Sequence, residues 1–222
     1  GALLAGVDVR LRLETGAQVG PCVLKVANEE GCGLVVTGLA ADALFEAPRL
    51  GSSVAWLADH CPLPLLVVRN PAQAPYQNMA LACDFSAHCA NALQQALDLF
   101  GEPLQLSLVH ALELPRTSLL TTPLETQHED AARLAGNQAR QFLADCALPS
   151  ALQLRTRIDL AAGDPAGVVA RHVRQHDTGL VVVGSQGRRS LVSLVLGSQA
   201  RTLLASAATD TLLVHAQPPL AG

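Results

Sequence analysis

Three glycines with a fixed spacing form the group of residues that most clearly suggests chemistry. Two residues separate Gly184 from Gly187, and nine residues then lead to Gly197, which Ser198 follows. Glycine tolerates a positive φ and lets a ligand approach the backbone closely. A helix-like stretch begins at Ser198, and the free N–H groups and dipole of a helix start favour a phosphate. The spacing therefore indicates a phosphate-binding loop, to which the Ser198 hydroxyl would add a donor.

Other polar residues extend this candidate site. Arg188 follows the second glycine and would neutralise phosphate charge, although a surface position is an equal alternative. Asp84, in the stretch "CDFS", ends the first strand-like run after the linker. Its carboxylate would accept hydrogen bonds from a base or a ribose there. A purely structural role for Asp84, in the turn before the next helix, is equally compatible with the sequence.

A hydrolytic arrangement is the first competing interpretation. The stretch "VGSQG" resembles a nucleophile turn that carries Ser185, and His215 would serve as its base. Val183 stands where that turn has a glycine, and the chain is short for a hydrolase of that fold. We therefore disfavour a hydrolase.

A metal site is the second competing interpretation. His172 and His176 are four residues apart and would share one face of a helix, the spacing at which two histidines bind a metal. Because Arg171, Arg174 and Gln175 flank them, the sequence favours a solvated helix face instead.

Composition limits the class of protein. Of 222 residues, 50% are apolar and only 3% aromatic, which suits helices packed on a parallel sheet. The net charge of −4 and the scattered basic residues argue against nucleic acid as a partner. No apolar run reaches the roughly 18 residues of a membrane span. The six cysteines lack zinc-site spacing and indicate reduced thiols, so we expect a cytoplasmic protein.

Apolar periodicity predicts five strands that alternate with four helices. The helices are predicted at 88–100, at 125–146, from Asp164-Pro165 onward and at about 198–207. Asp164 is a favourable N-cap, and Pro165 stands where its missing N–H costs nothing. The strands are predicted at 79–84, 104–111, 152–160, 180–184 and 210–215. This alternation indicates an α/β fold with a doubly wound parallel sheet.

An internal repeat relates the two ends of the chain. Residues 33–69 align with 179–215 at an offset of 146 without a gap. The identical positions include Gly33, Leu34, Val35, Val36, Gly38, Gly51, Ser52, Leu57, Leu66 and Val68.

The repeat predicts two domains of unequal completeness. Residues 1–70 correspond to the second half of a domain, with strands expected at about 7–14 and 33–37, residues 71–77 to a linker rich in proline, and 78–217 to a complete domain. On this register about 70 further residues would precede Gly1 in an intact tandem protein. The first copy has Ala41 in place of the second glycine and Asp42 in place of Arg188, and Pro48 interrupts it, so we expect no nucleotide there.

Residues 78–216 resemble a universal stress protein domain of the ATP-binding type. The family motif G-x-x-G, nine residues, G-[ST] is matched at Gly184, Gly187, Gly197 and Ser198. "CDFS", "VHA" at 109–111 and "GDP" at 163–165 also resemble family segments. The resemblance implies a five-stranded sheet in the order 3-2-1-4-5, adenine nucleotide alpha hydrolase-like, present here as a tandem repeat.

The resemblance also implies where a nucleotide would bind. ATP, with or without Mg²⁺, is the implied ligand, with its phosphates over Gly187 and the stretch Gly197-Ser198-Gln199. The implied adenine and ribose contacts are Asp84, the backbone of Val109 or His110, and Gly163-Asp164.

The implied function is an ATP-binding sensor or regulatory module of a stress response. Because no residue resembles a catalytic base, we expect at most slow ATP hydrolysis. The alternative is a dimerisation or interaction module of the same fold that binds no nucleotide. We expect the strands 63–68 and 209–216 to lie at sheet edges and to pair with each other within the chain or across a homodimer.

Overall fold

The computed structural model describes residues 7–39, 50–71, 74–112, 124–185, 188–190 and 193–215. The helices are α1 (Val19–Glu29), α2 (Ser52–His60), α3 (Ala87–Phe100), α4 (Leu124–Asp145), α5 (Ser150–Leu154), α6 (Pro165–His176) and α7 (Ser198–Ser206). The strands are β1 (Val35–Gly38), β2 (Leu65–Val68), β3 (Asn78–Ala82), β4 (Gln105–Leu112), β5 (Thr156–Ala162), β6 (Leu180–Ser185), β7 (Arg188–Ser190), β8 (Ser193–Val195) and β9 (Asp210–His215).

Seven of the described strands form one sheet in the order β1-β2-β9-β6-β3-β4-β5. All neighbours are parallel except β2 and β9, and the short strands β7 and β8 form a separate antiparallel hairpin. The prediction of a five-stranded sheet in the order 3-2-1-4-5 is therefore wrong for the sheet as a whole. β1 and β2, which belong to the first 70 residues, extend the sheet beyond β9. The expected order described the five strands of one domain, so it did not include strands added from the other repeat.

The predicted central strand is confirmed by the burial of β6. Its residues Leu180–Val183 are at most 3% exposed. Val181 and Val183 pack in one apolar cluster with residues of α2, α6 and α7, whereas Leu180 and Val182 pack in another with residues of α3 and α4. A continuous apolar run is typical of a strand that is covered on both faces.

The strands that end the two halves of the chain pair with each other, as the sequence predicts. Leu65, Leu66 and Val67 of β2 are the antiparallel partners of Leu213, Leu212 and Thr211 of β9. The prediction that these strands lie at sheet edges is wrong, because β2 lies between β1 and β9, and β9 between β2 and β6. Self-association between chains stays a prediction.

Two segments differ from the predicted strands. The predicted strand at 152–160 begins only at Thr156, because α5 occupies Ser150–Leu154. The strand-like alternation at 7–14 forms no strand, and its apolar residues are 60–89% exposed: Val7, Val9, Leu11 and Leu13. The guanidinium of Arg12 instead pairs with the carboxylates of Glu14, Glu29 and Glu30, and two of these belong to α1 or its C-cap.

The predicted linker is fixed to the start of β9 through one buried carboxylate. Asp210 accepts hydrogen bonds from the backbone N–H groups of Arg69 and Asn70, at 2.7 and 3.2 Å. The Tyr76 hydroxyl donates a third, at 2.6 Å. The two sides of the linker therefore meet at the same residue. None of the described helices is long and apolar enough to cross a membrane.

Candidate functional site

The carboxyl ends of the parallel strands bring several predicted site residues to one edge of the sheet. Ala82 of β3 has Val109 of β4 and Val183 of β6 as its register partners on either side. Asp84, two residues after β3, and Gly184, near the end of the neighbouring β6, therefore lie at the same edge of the sheet. Ligands of open α/β sheets bind at this edge, outside the carboxyl ends of the strands.

Asp84 is exposed and takes part in the turn before α3. Its Oδ1 accepts a hydrogen bond from the Ser86 N–H at 3.0 Å. The Ser86 hydroxyl, in turn, caps α3 by accepting from the Cys89 N–H at 3.3 Å. The turn role of Asp84 is therefore present in the structure, and it holds an exposed carboxylate at the sheet edge.

The end of β4 contributes a half-buried imidazole. His110 Nδ1 lies 2.8 Å from the Cys83 carbonyl oxygen. The Val109 carbonyl already accepts the Cys83 N–H at 2.9 Å, and the Val109 side chain is buried. Among the predicted adenine contacts of β4, the His110 side chain is thus more accessible than the Val109 side chain.

Sequence reasoning missed Phe85, which lies beside His110. The two ring centroids are 4.3 Å apart, and Phe85 also packs against Phe142 of α4. Its φ of 61° falls in the left-handed region that a bulky residue rarely adopts. The position directly after Asp84 was the only signal in the sequence.

Gly163 and Asp164 shape the turn between β5 and α6. Gly163 has a φ of 136°, which glycine alone adopts readily. Asp164 is the N-cap of α6, as predicted, and its Oδ1 accepts the Gly167 N–H at 2.9 Å. Its exposed carboxylate therefore satisfies the helix start and borders the same edge of the sheet.

Gly184 has a packing role that the sequence did not reveal. A Cβ at this position would lie 2.7 Å from the carbonyl oxygen of His88 in α3. Close approach of α3 to β6 thus requires glycine here, independently of any ligand. Gly187 lies outside the described residues, and Arg188 is the first residue of β7, where it pairs with Val195.

Gly197 is the N-cap of α7, and Ser198 and Gln199 lie exposed in its first turn. The φ of Gly197 is −59°, which any residue adopts. Apart from its two neighbours in the chain, no described residue has an atom within 4 Å of a Cβ built at Gly197. Neither backbone conformation nor packing within the described structure accounts for a glycine at this position.

A contact from the first half of the chain borders this helix start and was also missed. Asp59 of α2 forms an ion pair with Arg201 of α7. The Asp59 carboxylate lies 3.4 Å from the Leu196 N–H, just before Gly197. α2 therefore helps to position the segment that leads into α7.

The hydrolase interpretation is not supported by the burial of its residues. Ser185 and His215 are register partners on β6 and β9, but they are only 3% and 2% exposed. A nucleophile turn instead presents its serine hydroxyl at the surface of the sheet edge. Burial also lowers the pKa of His215, which disfavours its protonated form.

The prediction that His172 and His176 lie on a solvated helix face is wrong for His172. This residue is 1% exposed and lies on the buried face of α6 with Val168, Val169 and Val173. His172 Nδ1 lies 2.7 Å from Asp159 Oδ2. Burial, the larger effect, lowers the pKa of His172, and the Asp159 carboxylate opposes that shift.

Two cavities bounded by described residues lie away from the predicted nucleotide site. One of about 440 Å³ lies between α1 and β1 and includes Val23 and Val36 in its lining. The other, of about 780 Å³, lies beside the linker and includes Tyr76 and Asp210. Neither includes the Gly163-Asp164 turn or the start of α7.

Comparison with known proteins identifies the family of the fold. Residues 75–215 match the model of the universal stress protein family. The chain belongs to the universal stress protein family. A search of curated proteins found no match.

Solved structures show the same fold at low sequence identity. A functionally unknown protein from Pseudomonas aeruginosa PAO1 is 17% identical, with a TM-score of 0.67 over 90% of this chain and 69% of its own length. A universal stress protein from Archaeoglobus fulgidus DSM 4304 is 14% identical, with a TM-score of 0.58 over 86% of this chain and 65% of its own. The chain thus spans about two thirds of these structures.

A universal stress protein solved in complex with cAMP is a more distant neighbour, 18% identical with a TM-score of 0.41. The aligned region covers 65% of this chain and 100% of that structure.

Proposed function

We propose that this chain binds one adenine nucleotide, ATP with or without Mg²⁺, in the domain formed by residues 78–217. The observation that carries the proposal is Gly197. It opens α7 with an exposed first turn, and neither its φ nor its surroundings within the described structure require a glycine. A position that must stay open for a phosphate gives a reason for the missing side chain.

The phosphates would lie over the start of α7. Helix N–H groups of the first turn have no partner within the helix and favour an anion, and Ser198 adds a hydroxyl. Arg188 would supply positive charge, and Gly184 and Gly187 would shape the loop. None of Gly197, Ser198 and Gln199 carries a titratable side chain, so hydrolysis would be slow or absent.

The adenine and ribose would lie toward β3, β4 and the turn before α6. Asp84 and Asp164 place exposed carboxylates at this edge, where hydroxyl or amino donors would pair with them. The half-buried ring of His110 lies between the two carboxylate-bearing turns in the strand order. These groups suit the polar, donor-rich end of a nucleoside.

The first 70 residues are proposed to be the second half of a related domain with a degenerate motif. Ala41 and Asp42, which replace a glycine and Arg188 of the second copy, lie outside the described residues. A carboxylate beside a triphosphate would repel it, so one site per chain is proposed. The biological role we propose is that of a cytoplasmic sensor or regulatory module in a stress response.

Two aspartate substitutions test this proposal, one at the start of α7 and one at the start of α2, the corresponding helix of the first repeat. Gly197 and Gly51 are the N-caps of α7 and α2, have φ angles of −59° and −58°, and both face open space among the described residues. Isothermal titration calorimetry with ATP, with and without Mg²⁺, should give a stoichiometry near one. Gly197→Asp should abolish binding and Gly51→Asp should leave it unchanged.

Three results would count against the nucleotide site. Two ATP molecules per chain would contradict the assignment to the second copy, and binding that survives Gly197→Asp would contradict the phosphate position. If the unmodified chain binds no ATP, and mass spectrometry of the purified protein finds no adenine nucleotide, the interaction module without nucleotide is the better interpretation.

A further inference from the structure

Three side chains with metal-binding atoms meet between the strand β5 and the helix α6. Asp159 comes from β5, and His172 and His176 come from successive turns of α6. One potential ligand atom of each lies within 4.8 Å of the others, and the two imidazole centroids are 4.5 Å apart. The proposed nucleotide function uses none of these residues.

Elementary geometry explains why they meet. Residues four apart in a helix lie on the same face, so both imidazoles approach the sheet from α6. Asp159 is the register partner of Val109, and Val109 packs in the same apolar cluster as Val168 and Val169 of α6. The carboxylate thus faces the helix that carries the histidines.

His172 is poorly explained by packing alone. It occupies a position on the apolar face of α6 and is 1% exposed. Its Nδ1 is paired with Asp159, whereas its Nε2 has no hydrogen-bond partner among the described residues. A buried polar atom without a partner destabilises a fold, and an apolar side chain at this position would avoid that cost.

We propose that Asp159, His172 and His176 bind a divalent transition-metal ion, with Zn²⁺ as the preferred ion. Two imidazole nitrogens and one carboxylate oxygen are a donor set that zinc favours, and water would complete four-coordination. Tetrahedral zinc holds its ligand atoms about 3.3 Å apart. The ligand atom of His172 would be Nδ1, with the ring proton on Nε2, because Nδ1 already lies 2.7 Å from Asp159 Oδ2. Small rotations of Asp159 and His176, both partly exposed, would bring the three ligand atoms to that spacing.

A metal ion can reach the cluster from solvent, but a neighbouring arginine competes with it. The Asp159 side chain is 29% exposed, so an ion reaches the site without opening the core. Arg157 competes for the same place, because its Nη1 lies 2.8 Å from Nδ1 of His176 and 3.1 Å from Nε2. Arg157 is exposed and would have to move into solvent when the metal binds. Its positive charge opposes the ion, so its removal should strengthen binding.

Zinc titration of the full chain against a chromophoric chelator, without nucleotide, tests the site. We expect one tightly bound Zn²⁺ per chain. His176→Gln and Asp159→Asn should each weaken binding by about tenfold or more. His128→Gln on α4, which removes a histidine outside the cluster, should leave binding unchanged. Arg157→Gln should strengthen binding by about threefold.

Cobalt substitution distinguishes this site from the six free cysteines. Co²⁺ bound by two imidazoles and a carboxylate gives visible d–d bands without the near-ultraviolet charge-transfer band of a thiolate ligand. Equal zinc affinity in the unmodified chain and in folded His176→Gln would overturn the proposal. So would a thiolate band that disappears in Cys32→Ser, since Cys32 is the exposed cysteine. Circular dichroism establishes that each variant is folded.

Discussion

Leu66 on β2 lies directly opposite Leu212 on β9, at the one antiparallel junction among the described strands of the large sheet. This pair joins the first 70 residues to the domain that follows the linker. Both side chains belong to the same apolar cluster, and Leu212 is completely buried. The two parts of the chain therefore share one hydrophobic core.

A charge in this junction should destabilise the whole chain. Leu213, the partner of Leu65, is completely buried, and Leu213→Asp would place an unpaired carboxylate in the apolar cluster on the other face of the sheet. We expect a loss of roughly 3–5 kcal/mol in the free energy of unfolding, measured by urea denaturation. Leu154→Asp is the matched control, because Leu154 is 89% exposed and its change should stay within about 0.5 kcal/mol.

Substitution by alanine should destabilise the chain more at Gly184, where α3 packs closely on β6, than at Gly33. In Gly184→Ala, the new methyl group would meet the His88 carbonyl at 2.7 Å, so we expect a loss of about 1–3 kcal/mol. Gly33→Ala has no described atom within 4 Å and should change stability by less than about 0.5 kcal/mol. Equal melting temperatures for the two variants would contradict the packing role of Gly184.

Local features of the fold were predictable from the sequence because they depend on nearby residues. Asp164 and Pro165 mark the start of α6, and the glycine-serine pair at 197–198 marks the start of α7. The apolar run of β6 is central and buried, as its composition indicates. These features follow from capping, from the geometry of proline and from burial on both faces of a sheet.

Features that depend on distant contacts were not predictable. The alternation at 7–14 indicates a strand, but a strand forms only where a neighbour supplies hydrogen bonds, and no described strand pairs with this segment. The contact between Gly184 and His88, and the ion pair of Asp59 with Arg201, join elements far apart in sequence. For His172 a signal existed, since Val168, Val169 and Val173 place it on the apolar face of α6.

The hydrogen bond from Tyr76 to Asp210 should contribute measurably to stability. The donor–acceptor distance is 2.6 Å, and the carboxylate is buried. Tyr76→Phe retains the ring and its edge contact with Phe100 and removes only the hydroxyl, so we expect a loss of about 1.5 kcal/mol or more. If the effect arises from this bond, Tyr76→Phe should cost much less in the background of Asp210→Asn, as a double-mutant cycle would show.

Stability should fall below about pH 6.5, the ordinary pKa of histidine, in part because of His215. Burial lowers the pKa of His215 in the folded chain, and the nearby Ala58 carbonyl and the Asp59 charge offset this only in part. The unfolded chain therefore binds a proton at this residue at a pH where the folded chain does not. The resulting stabilisation is complete above the unfolded pKa and is lost as the pH falls through the folded pKa.

Substitution of His215 should reduce this dependence on pH. Between pH 7.5 and 5.5, His215→Leu should lower the slope of unfolding free energy against pH by up to about 1.4 kcal/mol per unit, since one proton is removed from the linkage. Leucine suits the position because it is 2% exposed and follows the apolar residues of β9. An unchanged slope in His215→Leu, measured by urea denaturation at each pH, would show that His215 titrates alike in the folded and unfolded states.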